Sequence, residues 1–124
     1  MMKKIYSRSW VGSSQPRKQR KYRYNAPLHL RHAMMATHLD KALRKETGRR
    51  SMSVRKGDEV VIMRGEFRKH SGKIVRVDMK TLKVYVEGAK RKKASGKEVD
   101  IPIDTSNLVI TKLYRDDKKR KVSK

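Results

Sequence analysis

Two short apolar runs, residues 60–63 and 74–77, flank a basic loop that carries Gly65 and closes at Gly72. This spacing constrains the chain more than any other feature. Gly57-Asp58, just before the first run, reads as a turn. Gly65 and Gly72 bracket the loop, and each accepts φ > 0 at little steric cost. In the second run Val75 and Val77 alternate with Arg76, the period of a strand with one buried face. Residues 54–77 therefore predict a β-hairpin. Its tip presents Arg64, Arg68, Lys69, His70, Ser71 and Lys73.

The same alternation continues on both sides. Strands are predicted over residues 59–63, 73–78, 82–87, 98–103 and 108–113. Leu82, Val84 and Val86 alternate with Lys83 and Tyr85, and Val99, Ile101 and Ile103 with Asp100 and Pro102. Pro102 donates no ladder hydrogen bond, so its strand belongs at an edge or a bulge. About five short strands in residues 51–113 predict a mainly β fold, a small, partly open barrel of the SH3-like type. So small a core implies modest stability. Between the third and fourth strands lies a Gly-flanked loop, residues 88–97, with Lys90, Arg91, Lys92 and Lys93 in succession. Four adjacent cations repel one another in isolation, so this loop is expected to be a second polyanion contact.

Charge points the same way. Lys and Arg number 35 against 12 Asp and Glu, a formal net charge of +23. A polyanion is the natural neutraliser of such an excess, and nucleic acid is favoured over an anionic membrane. The distribution is uneven: +12 over residues 1–50, +7 over 51–113 and +4 over 114–124. Both ends thus read as basic arms around a folded middle. Cysteine is absent, which excludes disulfides and cysteine-ligated zinc and suits a reducing cytoplasm. No segment approaches the roughly 18 apolar residues of a membrane helix, and no apolar stretch of a signal peptide follows Lys3 and Lys4.

Residues 1–24 show no sustained period. Arg17, Lys18, Arg20, Lys21 and Arg23 interleave with Tyr22 and Tyr24, a composition suited to neutralising phosphates and stacking on bases. This arm is expected to be disordered when free and ordered on a polyanion. Asn25-Ala26-Pro27 then opens a helical pattern, with Asn25 as N-cap. Leu28, Met35, Leu39 and Ala42 form an apolar face, which predicts one helix over about residues 27–46. Lys41, Arg44 and Lys45 suit its C-terminus, and Gly48 is a stop. The helix would bring His29, Arg31, His32 and Arg44 toward the polyanion, joined by Arg49 and Arg50 after it and Arg55 and Lys56 at the start of the barrel. Residues 114–124 read as a basic, frayed tail.

Catalytic patterns are missing. His29 and His32 have a spacing compatible with metal, but only Asp40 or His38 stands near as a third ligand, among cations. They are read as surface or base-stacking residues, with no metal site and no cofactor. No nucleophile elbow is present, and no Gly-Lys-Ser/Thr opens a helix after Gly88. Neither an enzyme nor a small-molecule substrate is expected.

The hairpin resembles a KOW motif, the small RNA-binding hairpin of ribosomal and transcription-elongation proteins. The flanks extend the likeness. The runs Arg17-Lys18-Gln19-Arg20-Lys21, Tyr24-Asn25-Ala26-Pro27-Leu28-His29, Leu43-Arg44-Lys45 and Arg50 through Val60 resemble the universal KOW family of large-subunit ribosomal proteins, the L-twenty-four type, called L-twenty-six in eukaryotes. The similarity runs from about Ser14 to Leu113, and the short C-terminal tail matches the archaeal form. The resemblance implies a structural ribosomal component in the cytoplasm. It would bind large-subunit ribosomal RNA of the 23S type near its 5′ region and support early assembly. It would lie near the polypeptide exit tunnel beside neighbouring large-subunit proteins. The alternatives are a free-standing KOW module of transcription elongation, which usually accompanies a partner-binding domain, and a membrane-active cationic protein, which the barrel pattern disfavours.

Overall fold

A computed structural model describes Ser7, Trp10 and residues 12–120. In chain order the elements are α1 (Pro16–Tyr24), α2 (Leu28–Met34), β1 (Ala36–Leu39), α3 (Lys41–Thr47), β2 (Ser51–Ser53), β3 (Glu59–Ile62) and β4 (Ser71–Asp78). There follow β5 (Lys83–Val86), β6 (Lys90–Lys92), β7 (Glu98–Asp100), β8 (Ile103–Asp104), a 3-10 turn (Thr105–Asn107) and β9 (Leu108–Lys112).

β4 gives the fold its curvature. Its start pairs antiparallel with β3 (Glu59↔Lys73, Val60↔Gly72, Val61↔Ser71) and its remainder with β5 (from Ile74↔Val86 to Asp78↔Lys83). The change of partner coincides with a bulge between Ile74 and Arg76. A bulge bends its strand and raises the twist, so β4 can turn a corner within the sheet. The full order is β2-β1-β9-β3-β4-β5-β8, with β1 parallel to β9 and the other pairs antiparallel. This is the small, mainly β, partly open barrel expected from the sequence. Among the described residues its sheet has seven strands rather than about five, and β6 and β7 form a separate two-stranded ribbon.

The core follows period 2. Val60 and Ile62 of β3, Val84 and Val86 of β5, and Leu108 and Ile110 of β9 all point inward and are buried. Met35, Leu39, Leu43 and Met52, from the chain ahead of β3, join the same cluster. Each such side chain contributes about 1.5–3 kcal/mol of apolar burial.

The single helix expected over residues 27–46 is instead α2, β1 and α3. Met35, Leu39 and Leu43 are buried as a helical face requires, but a spacing of four also keeps residues on one face of a strand. Thr37 decides between the two. It is buried on the same face, pairs with Met52, and its hydroxyl donates to the Thr105 carbonyl at 3.1 Å. Leu28, the first residue of the expected stripe, is 66% exposed, and Ala42 is exposed. Asn25 caps the end of α1 rather than opening α2, and Pro27 takes the N-cap position. Gly48 ends α3 at φ 68, as expected.

Other differences are local. Residues 16–24, read as part of an aperiodic arm, form α1, with Pro16 in its first turn, where a fixed φ favours the helix. α1 buries no residue, but Tyr22 stacks on Trp10 with ring centroids 5.1 Å apart. Residues 1–6, 8, 9 and 11 of that arm lie outside the described residues. The strand expected over 98–103 divides at Ile101-Pro102, and β8 beyond the proline is an edge of the sheet, where Pro102 was expected to place it. β4 begins two residues early, so Gly72 sits in extended backbone rather than at positive φ. Its lack of a side chain serves space: a Cβ there would lie 2.7 Å from the Glu87 carbonyl oxygen. The tail is not frayed over residues 115–120, because Arg120 is buried against Asp58. Residues 121–124 lie outside the described set.

Candidate nucleic-acid interface

The hairpin loop is built by its own backbone. The Ile62 N–H donates to the His70 carbonyl at 2.9 Å and the Lys69 N–H to the Ile62 carbonyl at 2.8 Å. Within the loop, the Arg68 N–H donates to Gly65 and the His70 N–H to Phe67. Phe67 packs against the core, which leaves Arg64, Arg68 and Lys69 exposed on the outer side. Gly65 takes φ 98, as its place in the loop requires, and Lys69 also holds a positive φ of 70. An L-residue there costs on the order of 1 kcal/mol, a strain that the surrounding hydrogen bonds sustain.

The ribbon β6–β7 replaces the loop expected over residues 88–97. Its register sets Lys90 opposite Asp100 and Lys92 opposite Glu98, with Arg91 opposite Val99 on the other face. One face is therefore partly self-neutralised. Lys93 and Lys97 stand at the tip, where the Lys93 N–H donates to the Lys97 carbonyl at 2.8 Å.

Tip and ribbon meet. The Arg91 guanidinium pairs with the Glu66 carboxylate of the hairpin loop. His70 Nε2 donates to the Glu87 carbonyl at 2.8 Å; a carbonyl only accepts, so this nitrogen carries the proton. Gly88 lies against the His70 ring, where a Cβ would come within 2.8 Å of Nε2. Two basic segments about 20 residues apart in sequence are thus brought into direct contact.

Residues 13–123 match the family of ribosomal proteins described as L26 in eukaryotes and as the L24 type in archaea. The chain belongs to this family. It is 52% identical over 108 residues to "Large ribosomal subunit protein uL24" of Methanosphaera stadtmanae, a match covering 87% of this chain and 92% of the relative. It is 47% identical over 111 residues to the protein of the same name from Korarchaeum cryptofilum, covering 90% of this chain and 85% of the relative. Both relatives are archaeal, in keeping with the archaeal form, and the family is one of structural ribosomal proteins rather than enzymes.

In this family member the structure sorts the expected site residues into two groups. Arg17, Lys18, Arg20, Lys21 and Arg23 are exposed along α1, and Tyr24 is exposed at its end, while Tyr22 faces Trp10. His29, Arg49, Arg50, Lys56, Ser71 and Lys73 are exposed, and His32 is half-buried. Others are turned onto the protein itself. Arg31 donates to the carbonyls of Ala26 (3.0 Å), Met79 (3.3 Å), Lys80 (2.6 Å) and Tyr24. It ties the α1–α2 junction to the turn after β4. Arg44 Nε donates to the Leu39 carbonyl at 2.8 Å, and Arg55 pairs with Asp117 at 2.5 Å. Sequence reading did not single out Arg76 or Tyr114 as candidates. Arg76 lies 4.1 Å over the Tyr85 ring. Nothing in the local pattern marks Tyr114, because its surroundings come from four separate segments. Among the described residues no group of three or more His, Asp or Glu stands close enough to hold a metal, and no helix is long and apolar enough to cross a membrane.

Proposed function

We propose that the chain is a structural constituent of the large ribosomal subunit. It binds large-subunit ribosomal RNA of the 23S type near its 5′ region, and it supports early subunit assembly close to the polypeptide exit tunnel. It works in the cytoplasm, in contact with neighbouring large-subunit proteins. The observation that carries the RNA-binding part is the joining of hairpin tip and ribbon through Arg91–Glu66 and His70–Gly88. A rigid cationic surface without catalytic groups suits phosphate neutralisation at fixed positions. The names of the relatives support the ribosomal setting. Assembly role and tunnel position rest on the family resemblance. Sedimentation of a cell lysate tests the proposal. The protein should travel with the large subunit and resist a moderate salt wash; recovery in the post-ribosomal supernatant at low salt would overturn it.

A further inference from the structure

A second surface lies away from the hairpin tip. A groove of about 590 Å³ opens between α2, the β2–β3 connection, β4 and the C-terminal segment. That volume falls within the roughly 300–1,000 Å³ of ligand clefts. Its mixed lining includes the apolar side chains Val75, Val77 and Met79. Val75 is 47% exposed. Tyr114 forms one wall and is 44% exposed. Its ring lies against Gly57, where a Cβ would come 3.0 Å from it. Its backbone N–H donates to Asp58 at 2.8 Å, which holds the residue in place. Tyr114 is thus an aromatic ring packed against Gly57 that remains partly open at the groove.

Cations border the same groove. Arg55 is matched by Asp117, but among the described residues Lys56 forms no ion pair, and Arg76 meets Asp78 only through its charge, without a direct salt bridge. Arg76 stacks its guanidinium face on Tyr85, which leaves its in-plane N–H donors free.

We propose that this groove holds one unpaired nucleotide of RNA, with its base stacked on Tyr114 and its phosphate held by Lys56 and Arg76. The inference rests on the RNA-binding reading above and assigns a site separate from the tip. An inorganic anion would leave the apolar side chains unused, and an apolar peptide would bring no charge to Lys56 and Arg76. A nucleotide has both a flat apolar face and a charge, and unpaired bases splayed onto aromatic side chains are the common basis of single-strand recognition.

The test uses the full chain and a transcript of the large-subunit ribosomal RNA, with affinity measured across a salt series. Tyr114→Leu should weaken binding by about 5- to 100-fold, the range of one lost base stack. The salt slope should not change, because no charge is removed. Tyr114→Phe should bind as the parent does. Val75→Glu, at an exposed position that leaves the core intact, should also weaken binding and serves if Tyr114→Leu misfolds. Folded Tyr114→Leu and Val75→Glu variants that both bind like the parent overturn the inference. A parent chain that fails to bind the transcript overturns the RNA-binding reading and this inference with it. Ultraviolet irradiation of intact large subunits gives an independent readout. A nucleotide adduct on the peptide containing Tyr114 is expected; a protein adduct there would overturn the assignment.

Discussion

Asp58 and Arg120 form a two-pronged ion pair sealed inside the protein. Nη1 meets Oδ1 at 2.5 Å and Nη2 meets Oδ2 at 2.8 Å, with the Arg120 and Asp58 side chains 4% and 0% exposed. Asp58 also accepts the backbone N–H groups of Tyr114 and Arg55, and Arg120 donates to the Ser53 carbonyl at 2.9 Å. One carboxylate in the turn before β3 therefore anchors the C-terminal segment across the barrel. Arg55–Asp117 and Arg115–Glu46 add partly exposed ties along the same strap.

Removing one partner of a buried pair strands the other charge. Arg120→Met is expected to lower unfolding free energy by about 3–5 kcal/mol, much of the stability of a small domain. Lys83→Met breaks the exposed pair with Asp104 and should cost about 0–1 kcal/mol. Urea denaturation of the two variants measures the contrast. Equal losses would mean that Arg120 is not buried as described.

Gly72 is required for close approach rather than for an unusual φ. Gly72→Ala pushes a methyl group into the Glu87 carbonyl and the Val86 side chain. A loss of about 1–3 kcal/mol is expected, as for other overpacked sites. Because Glu87 also accepts from His70, the amide resonances of residues 70 and 88 should shift together. A variant as stable as the parent, with both resonances unmoved, would contradict the contact.

Arg68 and Arg31 were both expected to contact RNA, and the structure separates them. Arg68→Ala, at the exposed tip, should reduce the salt slope of RNA binding by about one unit with little change in stability. Arg31→Ala should leave the slope alone and lower stability by about 2–3 kcal/mol, because a charged donor to four backbone carbonyls is lost. A salt titration paired with thermal unfolding distinguishes the two. The opposite pairing of effects would refute the sorting.

Asp78 closes the turn between β4 and β5. The Thr81 hydroxyl, then the backbone N–H groups of Thr81 and Lys80 and the charge of Arg76, hold its carboxyl below the ordinary value of 3.8. A lowered carboxyl favours the fold while ionised. Its contribution is present above the unfolded value and fades as pH falls through the lower folded one. Carboxyl NMR titration should place the Asp78 midpoint below 3.8, and Thr81→Val should raise it. A midpoint that Thr81→Val leaves unchanged would remove the hydroxyl from the account.

The alternation in β3, β5 and β9, the cationic tip between Gly65 and Gly72, and the stop at Gly48 were legible because period 2, local charge and turn chemistry act over a few neighbouring residues. The strong positive charge likewise pointed to a polyanion without any coordinates. Tertiary structure decided the rest. Residues 35, 39 and 43 satisfy a helix and a strand equally, and only the pairing of β1 with β2 and β9 resolves them. Whether an arginine faces solvent or its own backbone depends on carbonyls up to 49 residues away, as at Arg31. The contacts of Glu66 with Arg91, of Asp58 with Arg120 and of Gly57 with Tyr114 join segments that no local pattern relates, so they exist only once the barrel has closed.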